Sequence, residues 1–408
     1  MKKSKEIDYF KSGQKKLKAW RPTAFHNFPH EAQVIDLFCG SGGMSLGFAA
    51  LAKAEGYFKL IGGADINEVS LKTYNHNFGV PAIKIDVREI AKSRKNLKSF
   101  LNQLDGFDPT KKIILIGCAP CQGFTAHRKK DWDTPDVRNG LVEAFADIAY
   151  MMEPDCIIME NVPELLSGKY WHHFEYVRDR LKSKNYVVKQ AIHNSAAQGV
   201  PQERFRAVVM AMKTDFSLPS EKLSRNEFKT VKDAFTNLAV VSAGEQCAKD
   251  LMHKSATHRK TTIDVIRAIP IDGGSRPDGI GPKCLQNFKG YADVYGRLAW
   301  SKPSITITHY ARNPASGRFV HPEQHRGLTM REAARLQSFP DGYEFKGGFD
   351  DVFRQIGEAV PPLLSLAVAA SALANIRGES EVSDAHVVEG PVNNSYSGVI
   401  VGLKSNRK

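Results

Sequence analysis

One stretch constrains this chain more than any other: Asp36-Leu37-Phe38-Cys39-Gly40-Ser41-Gly42-Gly43. It follows an apolar run, Val34–Phe38, that reads as a buried strand, and it opens a helical pattern near Met44–Glu55. A glycine turn between strand and helix lets backbone N–H groups approach a ligand, because no Cβ stands in the way. The spacing is not G-x-G-x-x-G, which argues against a nicotinamide dinucleotide. The alternation then continues. Lys59–Gly62, Ala82–Ile85, Lys112–Ile116 and Asp155–Met159 read as strands, with helices near Glu68–Phe78 and Gly140–Met152. Such alternation predicts a parallel sheet with right-handed crossovers, an α/β doubly wound fold.

Ligands of open α/β sheets bind at the carboxyl ends of the strands, so the residues there carry the functional reading. The second strand ends at Asp65-Ile66, about 20 residues past the glycine loop, where an acid typically takes ribose hydroxyls. The third ends at Asp86-Val87. These acids fit a nucleoside cofactor, or a structural turn with surface carboxylates. The fourth strand runs into Gly117-Cys118-Ala119-Pro120-Cys121-Gln122-Gly123-Phe124. A redox dithiol, half a zinc site and a single nucleophilic cysteine compete here. No second Cys/His pair at zinc spacing accompanies it, so no metal is expected. The nucleophile reading places Cys121 on a loop stiffened by Pro120, with Cys118 packed at the strand end. The fifth strand ends in Glu160-Asn161-Val162-Pro163, aiming a carboxyl at the same crevice. Gln202-Glu203-Arg204-Phe205-Arg206 begins a further strand, Ala207–Met212, and alternation puts Gln202, Arg204 and Arg206 on one face. Polar groups there are costly unless paired or functional, although an edge ladder facing solvent gives the same pattern.

At 408 residues the chain suits two domains. Its formal net charge of +13 permits a polyanionic partner without requiring one. The six cysteines are too irregular for a disulfide framework, which fits a reducing, cytoplasmic setting. No run of 18 or more apolar residues is present, so no membrane span is expected. The expected organisation is a basic, flexible arm over 1–30 and a catalytic and cofactor-binding domain over 31–213. A second, smaller domain follows over 214–325, then a segment over 326–378 that completes the catalytic domain, and a polar tail over 379–408.

Taken in order, these motifs closely resemble the DNA (cytosine-5)-methyltransferases, of the kind found in bacterial restriction–modification systems. The resemblance rests on Asp36 through Gly43, Pro120-Cys121-Gln122, Glu160-Asn161-Val162 and Gln202-x-Arg204-x-Arg206. It also rests on Arg331-Glu332-Ala333-Ala334-Arg335-Leu336-Gln337-Ser338-Phe339-Pro340 and Gln355-Ile356-Gly357-Glu358-Ala359-Val360-Pro361-Pro362. It runs from about Val34 to Ala374. One departure is Glu358, where the family has Asn; Thr125 stands where it often has Ser.

The resemblance implies a Rossmann-like domain that binds S-adenosyl-L-methionine and a target-recognition domain. The implied activity transfers a methyl group to C5 of a flipped-out cytosine in a specific double-stranded DNA sequence. Cys121 would attack C6, Glu160 would hold a proton at N3, Arg204 would contact O2, and Arg206 would brace the cysteine loop, with Pro120, Gln122 and Asn161 completing the site. Phe38, Gly40, Gly42, Gly43, Asp65, Ile66, Asp86, Val87, Leu141 and Val360 would hold the cofactor. His127, Arg128, Lys129 and Lys130 would close over DNA. Arg276 and Arg312 are the candidates for reading bases. A monomer with a cognate endonuclease acting on the same site is the implied setting. A tRNA cytosine-5 methyltransferase of the same fold and an inactive DNA-binding homologue are the alternatives. The first usually lacks a sizeable recognition domain, and the second would not need Cys121, Glu160 and Arg204 together.

Overall fold

The apolar runs pair into a single seven-stranded sheet. Its strands are β1 (Ala32–Leu37), β2 (Phe58–Asp65), β3 (Ala82–Lys84), β4 (Lys112–Gly117), β5 (Cys156–Asn161), β6 (Val187–Asn194) and β7 (Phe205–Met212). They lie in the order β3-β2-β1-β4-β5-β7-β6. The first five are mutually parallel, while β7 runs antiparallel to both β5 and β6. β1 and β5 are buried at every position, as expected of strands covered on both faces. The computed structural model describes residues 4–23, 30–120, 140–282, 293–384 and 386–392.

The helices are α1 (Glu6–Lys18), α2 (Gly43–Glu55), α3 (Glu68–Phe78), α4 (Val87–Ala91), α5 (Arg94–Leu101), α6 (Gly140–Met152), α7 (Trp171–Lys182), α8 (Val231–Phe235), α9 (Lys260–Arg267), α10 (Met330–Leu336), α11 (Phe349–Glu358) and α12 (Pro362–Ile376). A small hairpin pairs β8 (Gln246–Cys247) with β9 (Asp250–Lys254). The chain forms two units. One comprises Met1–Asn194, Phe205–Lys222 and Pro362–Lys408; the other comprises Ser195–Arg204 and Leu223–Pro361.

The expected organisation needs three corrections. The N-terminal arm over 1–30 was expected to be flexible, yet its residues 6–18 form α1. Tyr9, Phe10, Gly13 and Leu17 are its buried face. Gly13 lies against Leu366 of α12 and Leu51 of α2, and Trp20 beyond the helix is fully buried. The lysines that dominate the composition lie on the other side, and so hide an apolar stripe. The segment over 326–378 is divided: 326–361 belongs to the second unit, and only α12 joins the first. α12 is a core helix there, with Leu364, Leu366, Ala367, Ala369 and Ala370 fully buried. Its close approach to α2 occurs at Gly47, where a Cβ would collide with the Ser365–Leu366 backbone. Finally, the tail over 379–408 is docked as far as Val392. Val388 N donates to Gln190 O on the outermost strand (2.9 Å), and Val392 N donates to Leu166 O (2.9 Å).

The second unit has its own small core of Ile266, Ile269, Tyr295 and Val320. Several large polar side chains are buried in it as well. Arg297 is fully buried and donates to the carbonyls of Ile269, Ile266, His321 and Gln324 and to His325 Nδ1, at 2.8–3.1 Å. Arg326 forms a bidentate pair with Glu332 (2.8 and 2.7 Å), whose carboxylate also caps α10 through Thr329 N. Burial pushes the Glu332 carboxyl up, but Arg326 outweighs it and the group ends below its ordinary range.

Candidate active site

The carboxyl ends of β1, β2, β4 and β5 carry the predicted site residues. After β1 the chain turns through Phe38, Gly40 and Gly42 with φ of 60°, 49° and 88°. Left-handed backbone is ordinary for glycine, but at an aromatic residue it costs on the order of 1–3 kcal/mol and must be imposed by its surroundings. Phe38 is held by the turn, in which Cys39 N donates to Ala64 O (3.0 Å) and Gly42 N to Cys39 O (2.8 Å). Gly63 must lack a side chain, since a Cβ there would meet Asp36 O and Cys39. Gly43 begins α2.

Asp65 closes the turn from the β2 side. Its Oδ2 accepts from Gly40 N (2.9 Å) and its Oδ1 from Asn67 N (2.7 Å). Burial raises its pKa against these two donors. Ile66 beside it is 68% exposed. A Cβ on Gly40 would find nothing nearer than Asp65 Oδ2 at 4.0 Å, so the turn faces open space bordered by an acid. Asp36 is fully buried, accepts from Ser45 Oγ (2.6 Å), and has an Oδ1 with no hydrogen-bond partner among the described residues. Burial, then the nearby Asp65 charge, push its pKa up to about 8, with the Ser45 bond opposing. Sequence reasoning missed Asp36 as a separate group, although a carboxylate inside a buried strand was the available signal.

Asp86 departs from its predicted use. It caps α4 through Arg88 N and is clasped by the Arg88 guanidinium (2.6–3.1 Å), which holds its pKa low. Val87 and Leu141 are buried.

β4 and β5 are neighbours in register, pairing Gly117 with Met159, so the loop after β4 and the end of β5 emerge together. Asn161 ties them: its Nδ2 donates to Ala119 O (3.2 Å), while its Oδ1 accepts from Val162 N (2.8 Å). Cys118 is raised well above its usual pKa by burial first and the Glu160 charge second, which suits a packed thiol and not a nucleophile. Pro120 is half-buried; Cys121, Gln122, Thr125, His127, Arg128, Lys129 and Lys130 lie outside the described residues.

Glu160 is buried, and Arg206 Nε stands 2.9 Å from its Oε1. Arg206 Nη1 donates to Phe205 O (2.7 Å), and its Nη2 has no hydrogen-bond partner among the described residues. The two arginines therefore differ from expectation. Arg204 belongs to the second unit, where its guanidinium is taken up by the carbonyls of Ile307 (3.0 Å), Gly357 (3.3 Å) and Ala359 (3.3 Å). Gln202 works alongside it, accepting from Ile307 N (2.8 Å) and donating to Gln337 Oε1 (2.6 Å). The strand starts at Phe205, so the three polar residues do not share one face. Arg206, not Arg204, is the cation beside the carboxylate. Val360 is buried in the second unit, and Glu358 is the exposed last residue of α11. Arg276 is folded onto the carbonyl of Ile280, and Arg312 pairs with Asp350 (2.6 Å).

Comparison with known proteins adds to this arrangement. The family model described as C-5 cytosine-specific DNA methylase matches residues 32–374. A type II methylase of Herpetosiphon aurantiacus, M.HgiDII, is 33% identical over 83% of this chain and 94% of its own length. The type II methyltransferase M1.HphI of Haemophilus parahaemolyticus is 32% identical over 83% of this chain and 86% of its own. Among solved structures, a candidate DNA modification methyltransferase encoded within an E. coli prophage superposes with a TM-score of 0.66 at 23% identity. It covers 85% of this chain and 99% of that one, a likeness of fold.

Proposed function

The chain belongs to the C-5 cytosine-specific DNA methylases, and from that premise we propose that Cys121 and Glu160 act on one cytosine flipped out of a specific duplex sequence. The observation that supports this most is Glu160 with Arg206 at the end of β5, tied by Asn161 to the loop that leads into Cys121. C5 of cytosine is a poor nucleophile. Addition of the Cys121 thiolate to C6 makes it enamine-like, and a proton held by Glu160 at N3 receives the charge pushed into the ring. Arg206 Nη2 is the donor available to O2, a role the family resemblance assigns to Arg204. C5 is then methylated, and loss of its proton, with expulsion of the thiolate, restores aromaticity. Extruding the base costs a few kcal/mol, which contacts elsewhere on the duplex offset.

Methyltransferases of this family and fold use S-adenosyl-L-methionine, which supplies an electrophilic methyl group on a sulfonium. The residues fit it. Gly40 opens onto free space, Asp65 can accept from ribose hydroxyls, and Ile66 offers an exposed apolar face. Phe38, Gly42, Gly43, Val87 and Leu141 complete the bed. Asp86 would have to release Arg88 before it could accept from an adenine amine. The second unit would select the DNA sequence. Its relatives are named as type II methylases, and we propose that this chain protects host DNA against a cognate endonuclease, as a monomer in the bacterial cytoplasm.

Duplexes containing 5-fluorocytosine test the reading. Wild type should form a covalent adduct on its target sequence and Cys121→Ser should form none; transfer of labelled methyl to tRNA but to no DNA would overturn it.

A further inference from the structure

Within the second unit a cavity of about 570 Å³ opens beside the end of β9 and the turn at 310–313. Its lining is dominated by hydrogen-bond donors. Lys254, Thr257 and Tyr310 make no side-chain hydrogen bond or ion pair among the described residues. Asn313 uses its Oδ1 on Ala315 N (3.0 Å), which leaves its amide N–H groups to the cavity. His258 Nε2 accepts from Gly327 N (3.0 Å), so a neutral ring carries its proton on Nδ1 as a further donor. Burial, and then Arg326, keep that ring neutral by lowering its pKa. The one carboxylate present, Asp350, is largely exposed and already engaged by Arg312 Nε (2.6 Å).

Several convergent donors, one free ammonium and one shared guanidinium suit a ligand that is anionic and rich in acceptors. On the reading that this chain acts on DNA, its own substrate supplies that ligand. We propose that this cavity holds a backbone phosphate of the duplex, with Lys254 as its principal cation and Arg312 shared between the phosphate and Asp350. Tyr310 and Phe349 then form an apolar wall for the adjoining sugar. The contact fixes the duplex on the enzyme and carries no sequence information.

Steady-state methylation of a target duplex across a salt series tests this. Lys254→Ala should raise KM for DNA about tenfold at low salt, leave kcat within about twofold, and flatten the slope of log KM against log salt by about one. Lys254→Arg should restore both. Asp350→Asn should act in the opposite direction, lowering KM about threefold, because Arg312 is released to the anion. Inorganic phosphate should compete with DNA on the wild type and lose that effect on Lys254→Ala. Thermal midpoint and cofactor affinity by calorimetry should match wild type for each variant, and Thr257→Ala gives a second, milder reading of the same cavity. An unmoved KM and slope in a folded Lys254→Ala would overturn the proposal. So would competition by free phosphate that is equal in wild type and variant, or a changed preference among target sequences with the slope intact. Loss of the phosphate site with an active wild type leaves the methylase reading standing; a wild type inactive on every DNA would remove that reading instead.

Discussion

Buried polar groups occur in both units, but their hydrogen-bonding differs. In the second unit Arg297 has all its guanidinium donors satisfied, and Arg326 is taken up by Glu332 together with the carbonyls of Val241 and Gly327. In the first unit, at the strand ends, Asp36 has an oxygen and Arg206 a nitrogen with no hydrogen-bond partner among the described residues. A buried polar atom without a partner calls for an explanation, and these two lie at the strand ends that carry the candidate site. Arg204 and Arg206, only two residues apart, differ in their partners: Arg204 meets backbone carbonyls of the second unit, and Arg206 meets the Glu160 carboxylate.

The widest separation between the units should come from chemistry. Cys121→Ser should abolish methyl transfer, and Glu160→Gln should reduce kcat by on the order of 10³, both with the unfolding midpoint nearly unchanged. Activity retained in Glu160→Gln would break the assignment of the strand-end groups to chemistry. Arg297→Met should do the reverse, costing about 3–5 kcal/mol in urea unfolding by stranding five acceptors. The near pair gives a finer version. Arg206→Lys, which keeps a cation beside Glu160, should lose turnover with modest change in stability, while Arg204→Ala should lose about 2–4 kcal/mol of stability. Equal stability loss in both would erase the distinction.

The pH dependence of unfolding should have opposite sign in the two units. Asp36 has its folded pKa raised from 3.8 to about 8, so its contribution is complete below the unfolded value and is lost as pH rises toward 8. His321, whose Nδ1 accepts from Glu323 N and Gln324 N, is lowered by burial from 6.5 to about 4. Its contribution is present above 6.5 and is lost as pH falls through 4. Asp36→Asn should therefore flatten the alkaline limb of a stability profile, and His321→Gln the acid limb. The smallest effect expected is at Asn67, whose side chain accepts from Ser70 N (3.1 Å) to cap α3. Asn67→Ala should cost about 1 kcal/mol and leave the active-site geometry intact.

Much of the first unit could be read from residues alone. Strand and helix positions followed from period, because parallel strands covered on both faces are continuous apolar runs. Glu160, Asn161 and Asp65 could be placed because motif order fixed which strand end each occupies. What escaped was set by partners distant in sequence. Nothing local says that Arg204 will meet carbonyls at 307, 357 and 359, whereas Arg206 meets Glu160. α1 escaped because its lysines swamp a face made of Tyr9, Phe10, Gly13 and Leu17. In the second unit the apolar helical period at Met330, Ala333, Ala334 and Leu336 could be read, whereas buried polar residues such as Arg297 and Arg326 follow no period.

The docking of the segment around Val388 on Gln190 has a practical corollary. β6 is the rim of the sheet, and an uncovered rim invites another chain to add itself. A version cut back before Val388 would bare that rim and tend to self-associate. One truncated after Val392 would keep the rim shielded and stay dispersed.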